Sequence, residues 1–226
     1  MVSGDFYWFE EIQRLHIVAG VPTTQRLKIL IVSDCTGHGV PGAFMAALGN
    51  AFIHEIVNEH HIVEPHHILM ALNTKITSTL QKQDGIALRD GMDMGIIVWD
   101  EQKEQIYFAG ARHSLYMLRD GELNYIRGDG HSLGGKMRTD AEHNYNKQTI
   151  ATKSGDRFYL STDGFQDQFG GPEGKKYMRS KFKQMLIDLW DTPMNQQAAI
   201  FKDELETWQG HKEVQTDDVL VIGVEI

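Results

Sequence analysis

Apolar residues along the chain fall into two spacings, one typical of strands and one typical of helices. The run 27–33 is short, apolar and rich in β-branched residues, which predicts a strand covered on both faces. The run 12–19 predicts its partner, and the loop through Gly20 favours a hairpin. Asp34 stands where the second strand would end, and a glycine-rich turn follows it.

Two pairs of helices are predicted from apolar positions three and four residues apart. The first pair covers 41–59 and the segment after Pro65, and the second pair follows a glycine-rich loop at 168–176. The residues predicted to face the core are Phe44, Leu48, Phe52 and Ile56; Ile68, Leu72, Ile76 and Leu80; Phe182, Met185, Leu186, Leu189 and Trp190; and Ala198, Phe201, Leu205 and Trp208.

Strand signals fill the middle and the end of the chain. Asp120-Gly121 is a hairpin turn signal between two of these predicted strands. The predicted strands are 94–99, 106–111, 114–119, 122–126, 157–162 and 219–226. Because strands interleave with two helix pairs, without a repeat or a linker, the pattern predicts a single α+β domain over residues 1–226.

Composition narrows the class of protein. The net charge of -9 and the lack of a basic stripe argue against nucleic-acid binding, whereas surplus carboxylates are compatible with metal binding. The single cysteine, Cys35, excludes an internal disulfide and fits a reducing compartment. No signal peptide is visible, and no apolar run approaches the roughly 18 residues of a membrane span.

Four histidines lie between the first two predicted helices, within the sequence EHHIVEPHHIL. They are His60, His61, His66 and His67. Histidines this close together could bind zinc, but the favoured interpretation is a solvated connection between two helices.

Four aspartates, Asp5, Asp34, Asp163 and Asp217, lie where apolar runs begin or end. Each has a structural alternative, since Asp34 could cap a helix, Asp163 could belong to a turn, and the other two could be solvated boundary residues. Taken together, they predict a cleft at strand ends in which cations separate like charges. Mg²⁺ and Mn²⁺ prefer such oxygen ligands and would activate water for attack on phosphorus.

Motifs spread over the whole chain point to one family. They are VSGDFYW, SDCTGHGVPGAFM, DGMDMGIIV, FAGARHSLYMLRDGEL, SLGG, GDRFYLSTDGFQDQFGG and TDDVLVIGV. In this order they resemble the SpoIIE-like branch of the metal-dependent protein phosphatases, the PP2C or PPM superfamily. The phrase Asp-x-x-Gly-His-Gly-x-Pro-Gly-Ala, joined to Thr-Asp-Gly and Asp-Asp, is specific in combination.

The resemblance implies a four-layer α-β-β-α sandwich with two central antiparallel sheets and two Mn²⁺ or Mg²⁺ ions between them. Matched position by position, Asp34 is the expected bridging ligand. Asp5 and the backbone carbonyl of Cys35 would contribute to one metal ion. Asp163 and Asp217 would complete the site of the other.

The resemblance also suggests outer residues of this centre. Asp218 is expected outside the direct ligands, and Asp90 and Asp93 lie near the position of a third metal ion in some members. His38 is a candidate general acid for the leaving alcohol, although it could instead only brace the glycine turn. Arg112 and His113 could approach the substrate, but a strand-end pair facing solvent is the simpler expectation.

The implied function is hydrolysis of phosphoserine or phosphothreonine on a small anti-sigma-factor antagonist of the STAS type, opposing a kinase in a bacterial partner switch. The domain would be the C-terminal output of a longer sensor protein and would be cytoplasmic, with an upstream sensor domain or membrane anchor. A homodimer is compatible with this role. The alternatives are a catalytically weak phosphatase-like binding module and a hydrolase of small phosphoesters.

Overall fold

A long antiparallel hairpin opens the chain. Its strands are β1 (Phe6–Val18) and β2 (Val21–Cys35), and their register places Phe6 opposite Ser33 and Val18 opposite Val21. The predicted hairpin is confirmed, but its strands are longer than predicted. Pro22 lies within β2 and not in the loop, at the end of the hairpin opposite Ile17.

The structure is a computed structural model and describes residues 3–18, 20–37, 39–80, 91–134 and 144–226. These residues belong to two compact units. The first unit contains Met1–Ser114 and Arg127–Lys153, and the second contains Leu115–Ile126 and Ser154–Ile226.

The first unit consists of a five-stranded antiparallel sheet and two helices. The sheet has the order β1-β2-β3-β4-β7, and a π-helical turn, Glu55–Glu59, continues the first helix. The further elements are β3 (Met92–Asp100), β4 (Gln105–Ala111), β7 (Gln148–Ala151), α1 (Val40–His54) and α2 (Pro65–Leu80). Buried residues from both helices pack with alternate residues of β2, β3 and β4 in one core.

The predicted helix 41–59 is confirmed, and so are the core positions of Phe52 and Ile56, but the prediction that Phe44 faces the core is wrong. Phe44 is 64% exposed, whereas the small residue Gly49 is buried. A Cβ on Gly49 would lie 3.1 Å from the side chains of both Met92 and Phe6, so the helix lies close to the sheet at a residue without a side chain. Met45 and Ile53 are also buried, so the core face of α1 is shifted by about one residue from the predicted one.

The same segment is also longer and more apolar as a helix than the sequence analysis allowed when it found no apolar run of membrane-spanning length. Among the described residues, Val40–Glu59 is long and apolar enough to cross a membrane by length and composition. A helix packed in a protein core meets the same criterion, and Ile53 and Ile56 of this segment are fully buried in the first unit.

The second unit consists of a four-stranded antiparallel sheet, helices and a short hairpin. The sheet has the order β11-β8-β5-β6, and β9 pairs with β10. The strands are β5 (Leu115–Arg119), β6 (Glu122–Ile126), β8 (Arg157–Ser161), β9 (Phe169–Gly170), β10 (Lys175–Lys176) and β11 (Val221–Glu225). The helices are α3 (Gly164–Asp167), α4 (Arg179–Asp188) and α5 (Met194–Gln209).

Aromatic side chains form the centre of the second core. Phe165 contacts the rings of Tyr177, Phe182 and Phe201 at centroid distances of 5.1, 5.3 and 6.0 Å. Edge-to-face and tilted contacts of this kind add to the stabilisation from burial. The second helix pair and the hairpin turn at Asp120-Gly121 are confirmed.

The predicted α+β class with two antiparallel sheets is confirmed. Each unit contains one helical layer and one sheet layer of the expected α-β-β-α arrangement. The assignment of residues 1–226 to a single domain stays a prediction.

Replacing Phe182 by alanine is expected to lower the free energy of unfolding by about 3–5 kcal/mol, because a fully buried ring is lost from the aromatic core. Urea denaturation followed by circular dichroism measures this. The control is Val214→Ala, at a side chain that is 76% exposed, which should change the free energy by less than about 0.5 kcal/mol. Equal losses in the two variants would contradict the assigned core.

Candidate metal centre

Three aspartates form a row across β1, β2 and β3 in the first unit. Asp34 is directly opposite Asp93 in the β2–β3 ladder. On the other side Phe6 pairs with Ser33, so Asp5, one residue before β1, comes next to Asp34. Directly opposed residues of antiparallel strands point to the same face of the sheet, with Cβ atoms roughly 4.5–5.5 Å apart. The ladder therefore gathers three carboxylates at one end of the sheet.

The turn that follows Asp34 packs closely against the segment leading into β1. A Cβ on Gly4 would lie 2.9 Å from the carbonyl oxygen of Gly37 and 3.3 Å from that of Cys35. A Cβ on Gly42, in the first turn of α1, would lie only 2.2 Å from the Gly37 oxygen. Only glycine fits at these two contacts, so the backbone carbonyls of the turn lie beside the chain that carries Asp5.

Thr36 fixes the same turn to the start of β3. Its backbone N–H and its hydroxyl both donate to the carbonyl oxygen of Gly91, each at 2.9 Å. Sequence reasoning did not single out Thr36, because its partner lies 55 residues further along the chain.

The side chain of Cys35 is a buried free thiol, and the role of its backbone carbonyl as a metal ligand stays a prediction. Burial raises the pKa of the Cys35 thiol to about 12, and the nearby Asp34 and Asp5 carboxylates act in the same direction. With a pKa this high the thiol is protonated at neutral pH, so it is not a thiolate nucleophile.

Protein groups hold Asp93 from two sides. The Ser132 hydroxyl donates to Asp93 Oδ1 at 2.5 Å, and Arg112 Nε lies 3.6 Å from Oδ2. Burial raises the pKa of the Asp93 carboxyl, while the Ser132 hydrogen bond and the Arg112 charge oppose this rise. The structure thus places Asp93 beside Asp34, and its role toward a third metal ion stays a prediction.

The two acidic motifs of the second unit are joined by an extension of the β8–β11 ladder. The N–H of Thr162 donates to the Leu220 carbonyl at 3.0 Å, and the N–H of Leu220 donates to the Thr162 hydroxyl at 3.0 Å. One residue further on, Asp163 precedes α3 and is exposed.

Gly164 brings these motifs into direct backbone contact. A Cβ on Gly164 would lie 1.9 Å from the carbonyl oxygen of Asp218, so only glycine fits here. Asp163 and the pair Asp217-Asp218 therefore come from segments that touch, and their role as metal ligands stays a prediction. Asp217 is exposed and Asp218 is half-buried.

Gln168 positions the loop before Asp217 and was missed by sequence reasoning. The side chain is fully buried, its amide donates to the Val214 carbonyl at 3.0 Å, and its oxygen accepts from the Thr216 N–H at 3.3 Å. Its partners are backbone groups almost 50 residues away, which leave no mark in the local sequence.

The donors fit a hard divalent cation in their chemistry. All are oxygens, namely the carboxylates of Asp5, Asp34, Asp163 and Asp217 and the carbonyl of Cys35, which suit Mg²⁺ or Mn²⁺ better than zinc. Within either unit, the described residues contain no group of three or more His, Cys, Asp or Glu side chains placed to hold one ion. That the two sets of ligands form one centre stays a prediction.

Of the four clustered histidines, His60 and His61 lie in the predicted connection, whereas His66 and His67 lie in the first turn of α2. His60 Nε2 lies 3.2 Å from Glu55 Oε1, and the rings of His66 and His67 stack with centroids 4.0 Å apart. His38 and Asp90 lie outside the described residues, so their proposed roles stay predictions.

The expectation that Arg112 and His113 both face solvent is half wrong. Arg112 is exposed, but His113 is only 5% exposed. The backbone around His113 is tightly packed. A Cβ on Gly110 would lie 2.1 Å from the His113 carbonyl oxygen, and a Cβ on Gly128 would lie 2.3 Å from it, so only glycine fits at these two positions. Burial lowers the pKa of the His113 imidazole to about 4.

Comparison with known proteins agrees with the motif assignment. The family model described as Stage II sporulation protein E (SpoIIE) matches residues 25–226. The chain belongs to the SpoIIE family. No curated protein matches it at a significant level.

Solved structures place this SpoIIE-family chain in the PP2C class of serine/threonine phosphatases. The SiaA PP2C domain of Pseudomonas aeruginosa is 32% identical, with a TM-score of 0.83 over 100% of this chain and 81% of that one. The PP2C domain of SpoIIE from Bacillus subtilis, with a fragment of its regulatory domain, is 19% identical, with a TM-score of 0.71 over 100% of this chain and 57% of that one.

A third structure with the same fold contains metal. The catalytic domain of the serine/threonine phosphatase PstP, in complex with two manganese ions, has a TM-score of 0.62 and 15% identity. The alignment covers 98% of each chain.

Gly42→Ala is expected to weaken Mn²⁺ binding by about tenfold or more, because the added Cβ would displace the turn after Asp34. Isothermal titration calorimetry measures the affinity, and circular dichroism verifies the fold. Gly130→Ala is the matched control, since a Cβ there meets nothing within 4 Å. If the folded Gly42→Ala variant bound Mn²⁺ with unchanged affinity, the turn after Asp34 would not be part of the metal centre.

His113 is expected to make stability depend on pH. Its folded pKa of about 4 lies below the 6.5 of an unperturbed imidazole, so the unfolded chain binds more protons than the folded chain between these pH values. The stabilisation is complete above pH 6.5 and is lost, by up to about 3 kcal/mol, as pH falls toward 4.

Urea denaturation between these pH values tests this dependence. His113→Leu should show a flatter pH dependence of the free energy of unfolding than the wild type, whatever its absolute stability. His54→Gln, at an exposed position, should keep the wild-type slope. An unchanged slope in His113→Leu would refute the buried neutral imidazole.

Proposed function

We propose that this domain removes phosphate from phosphoserine or phosphothreonine of a STAS-type regulatory protein, with divalent cations as cofactors. The observation that carries the proposal is the row of Asp5, Asp34 and Asp93 at one end of the first sheet, in a chain of the SpoIIE family. The PP2C class supports the reaction, and the family supports a regulatory protein as substrate.

Two Mn²⁺ or Mg²⁺ ions are proposed, as in the manganese complex of PstP. Asp34 would hold both ions, Asp5 and the Cys35 carbonyl would hold one, and Asp163 and Asp217 would hold the other. Divalent cations in such a site lower the pKa of bound water and offset negative charge on a phosphoryl group.

The protein groups around these ligands serve to position them. Thr36 holds the turn after Asp34, and Gln168 holds the segment before Asp217. Because the Cys35 thiol stays protonated, the single cysteine does not compete with water as nucleophile. His38 is the proposed donor of a proton to the leaving alcohol.

The proposed setting is a bacterial partner switch, in which this phosphatase opposes a kinase. We place the domain in the cytoplasm, as the output of a longer protein with an upstream sensor domain or membrane anchor, and a homodimer is compatible with this role. The similarity to a SpoIIE structure that includes a regulatory fragment supports such an organisation. The chain spans 57% of that structure.

Asp34→Asn is expected to reduce Mn²⁺-dependent phosphate release from an aryl phosphate and from a phosphorylated STAS domain by at least about a hundredfold. The control is Asp203→Asn, an exposed position on α5, which should keep full activity. Turnover that needs no metal, or that survives Asp34→Asn, would refute the proposed centre.

The substrate class is tested with the wild type alone. The phosphorylated STAS domain should have a higher kcat/KM than free phosphoserine, because a protein substrate adds contacts beyond the phosphate. Equal values would favour the small-phosphoester alternative, and metal binding without turnover on either substrate would favour the binding module.

A further inference from the structure

A cavity of about 770 Å³ lies in the second unit, and none of the proposed metal ligands lines it. This volume is within the range of ligand-binding pockets. The cavity is bordered by the β9–β10 hairpin, the start of α4 and the end of α5. Its lining includes the apolar side chains of Phe169, Met178 and Trp208 and the charged side chains of Glu173, Lys176 and Lys181.

Trp208 is a firmly held aromatic wall of this cavity. Its indole N–H donates to the Gln168 carbonyl at 3.1 Å, and its ring meets Tyr177 edge to face at 5.2 Å. The Gly171 N–H donates to the Trp208 carbonyl at 2.7 Å. A Cβ on Gly170 would lie 1.9 Å from that same oxygen, so the hairpin rests directly on this residue. The wall is thus formed before any ligand binds.

Met178 lines the cavity from an unfavourable backbone conformation. Its φ is 75° and its ψ is 145°, a backbone conformation that residues other than glycine rarely adopt. The Met178 N–H donates to the Gln166 carbonyl at 2.8 Å, which holds the backbone in place, and the side chain is 56% exposed. Met178 therefore places an apolar side chain at the cavity, although glycine at this position would adopt the backbone conformation with less strain.

The charge around the cavity is opposite to that of the chain. The segment 175–183 contains five lysine or arginine residues and no acidic residue, in a chain whose net charge is -9. Lys181 Nζ lies 3.8 Å from the ring centroid of Trp208, which places a cation against the aromatic wall. Lys175 and Lys176 line the same cavity while pairing with Glu173 and Asp167.

We propose that this cavity docks an acidic segment of a protein partner. An apolar side chain of that segment enters between Met178, Phe169 and Trp208, and its carboxylates lie against the lysines of 175–183. A concave aromatic pocket with a charged border suits one anchoring side chain within an acidic peptide, because anchors of interfaces fill such pockets. The proposal does not depend on the phosphatase substrate.

Selection from a random-peptide phage library tests the proposal, with wild-type protein as bait and Lys181→Glu for counter-selection. The enriched peptides should be acidic around one apolar residue. Their affinity, measured by fluorescence anisotropy, should fall about tenfold or more in Lys181→Glu and in Met178→Gly. It should also fall with added salt.

Two features of the design separate docking from misfolding. Met178→Gly removes a lining side chain while relaxing the backbone, so its thermal stability should not fall. Lys202→Glu is the matched charge reversal on α5, outside the cavity, and should leave peptide affinity unchanged. Mn²⁺-dependent release of phosphate from an aryl phosphate should be equal in wild type and Lys181→Glu, which separates this test from that of the proposed function.

Several outcomes would overturn the proposal. They are the absence of enriched peptides, enrichment of peptides without acidic residues, and equal affinity for wild type and Lys181→Glu. Binding of phosphatidylserine vesicles or RNA that Lys181→Glu abolishes, without any acidic peptide, would assign the surface to a lipid or to nucleic acid instead.

Discussion

Close backbone contact at glycines is the constraint on which the candidate centre depends. Gly4 and Gly42 both lie against the carbonyl oxygen of Gly37, at distances that leave no room for a Cβ. These contacts join the segment before β1, the turn after β2 and the start of α1. Any shift of α1 would therefore move the carbonyl of Cys35 and the neighbouring carboxylates.

The second unit also contains a close contact between a glycine and a backbone carbonyl, beside the β8–β11 ladder. Gly164 lies against the carbonyl of Asp218, and Thr162 extends the β8–β11 ladder beside it. Gln168 adds a connection of its own, because its side chain holds the segment before Asp217 and its carbonyl accepts from Trp208. The segment before Asp217 and the aromatic wall of the cavity thus share one buried residue.

The chemistry of the site follows from what surrounds each donor. Burial raises the pKa of the Cys35 thiol, which disfavours its sulfur as a nucleophile, and its backbone carbonyl is the proposed ligand. Asp93 is already held by Ser132 and Arg112, whereas the sequence alone treats it as one more carboxylate near the centre. Oxygen donors set by ladder register explain why a hard divalent cation, and not zinc, suits the arrangement.

The sequence by itself determined the two helix pairs, most strands of the two large sheets, the hairpin turn at Asp120-Gly121 and the acidic positions at strand ends, because these signals are local in the chain. It did not predict β7, α3 or the short hairpin of β9 and β10. Only the tertiary structure decided which face of α1 is buried, since Gly49 has no apolar side chain to reveal it. The burial of His113 and the anchoring by Gln168 were likewise decided by backbone contacts with residues distant in sequence or small enough to leave no pattern. Packing of that kind depends on the whole fold, and no periodicity records it.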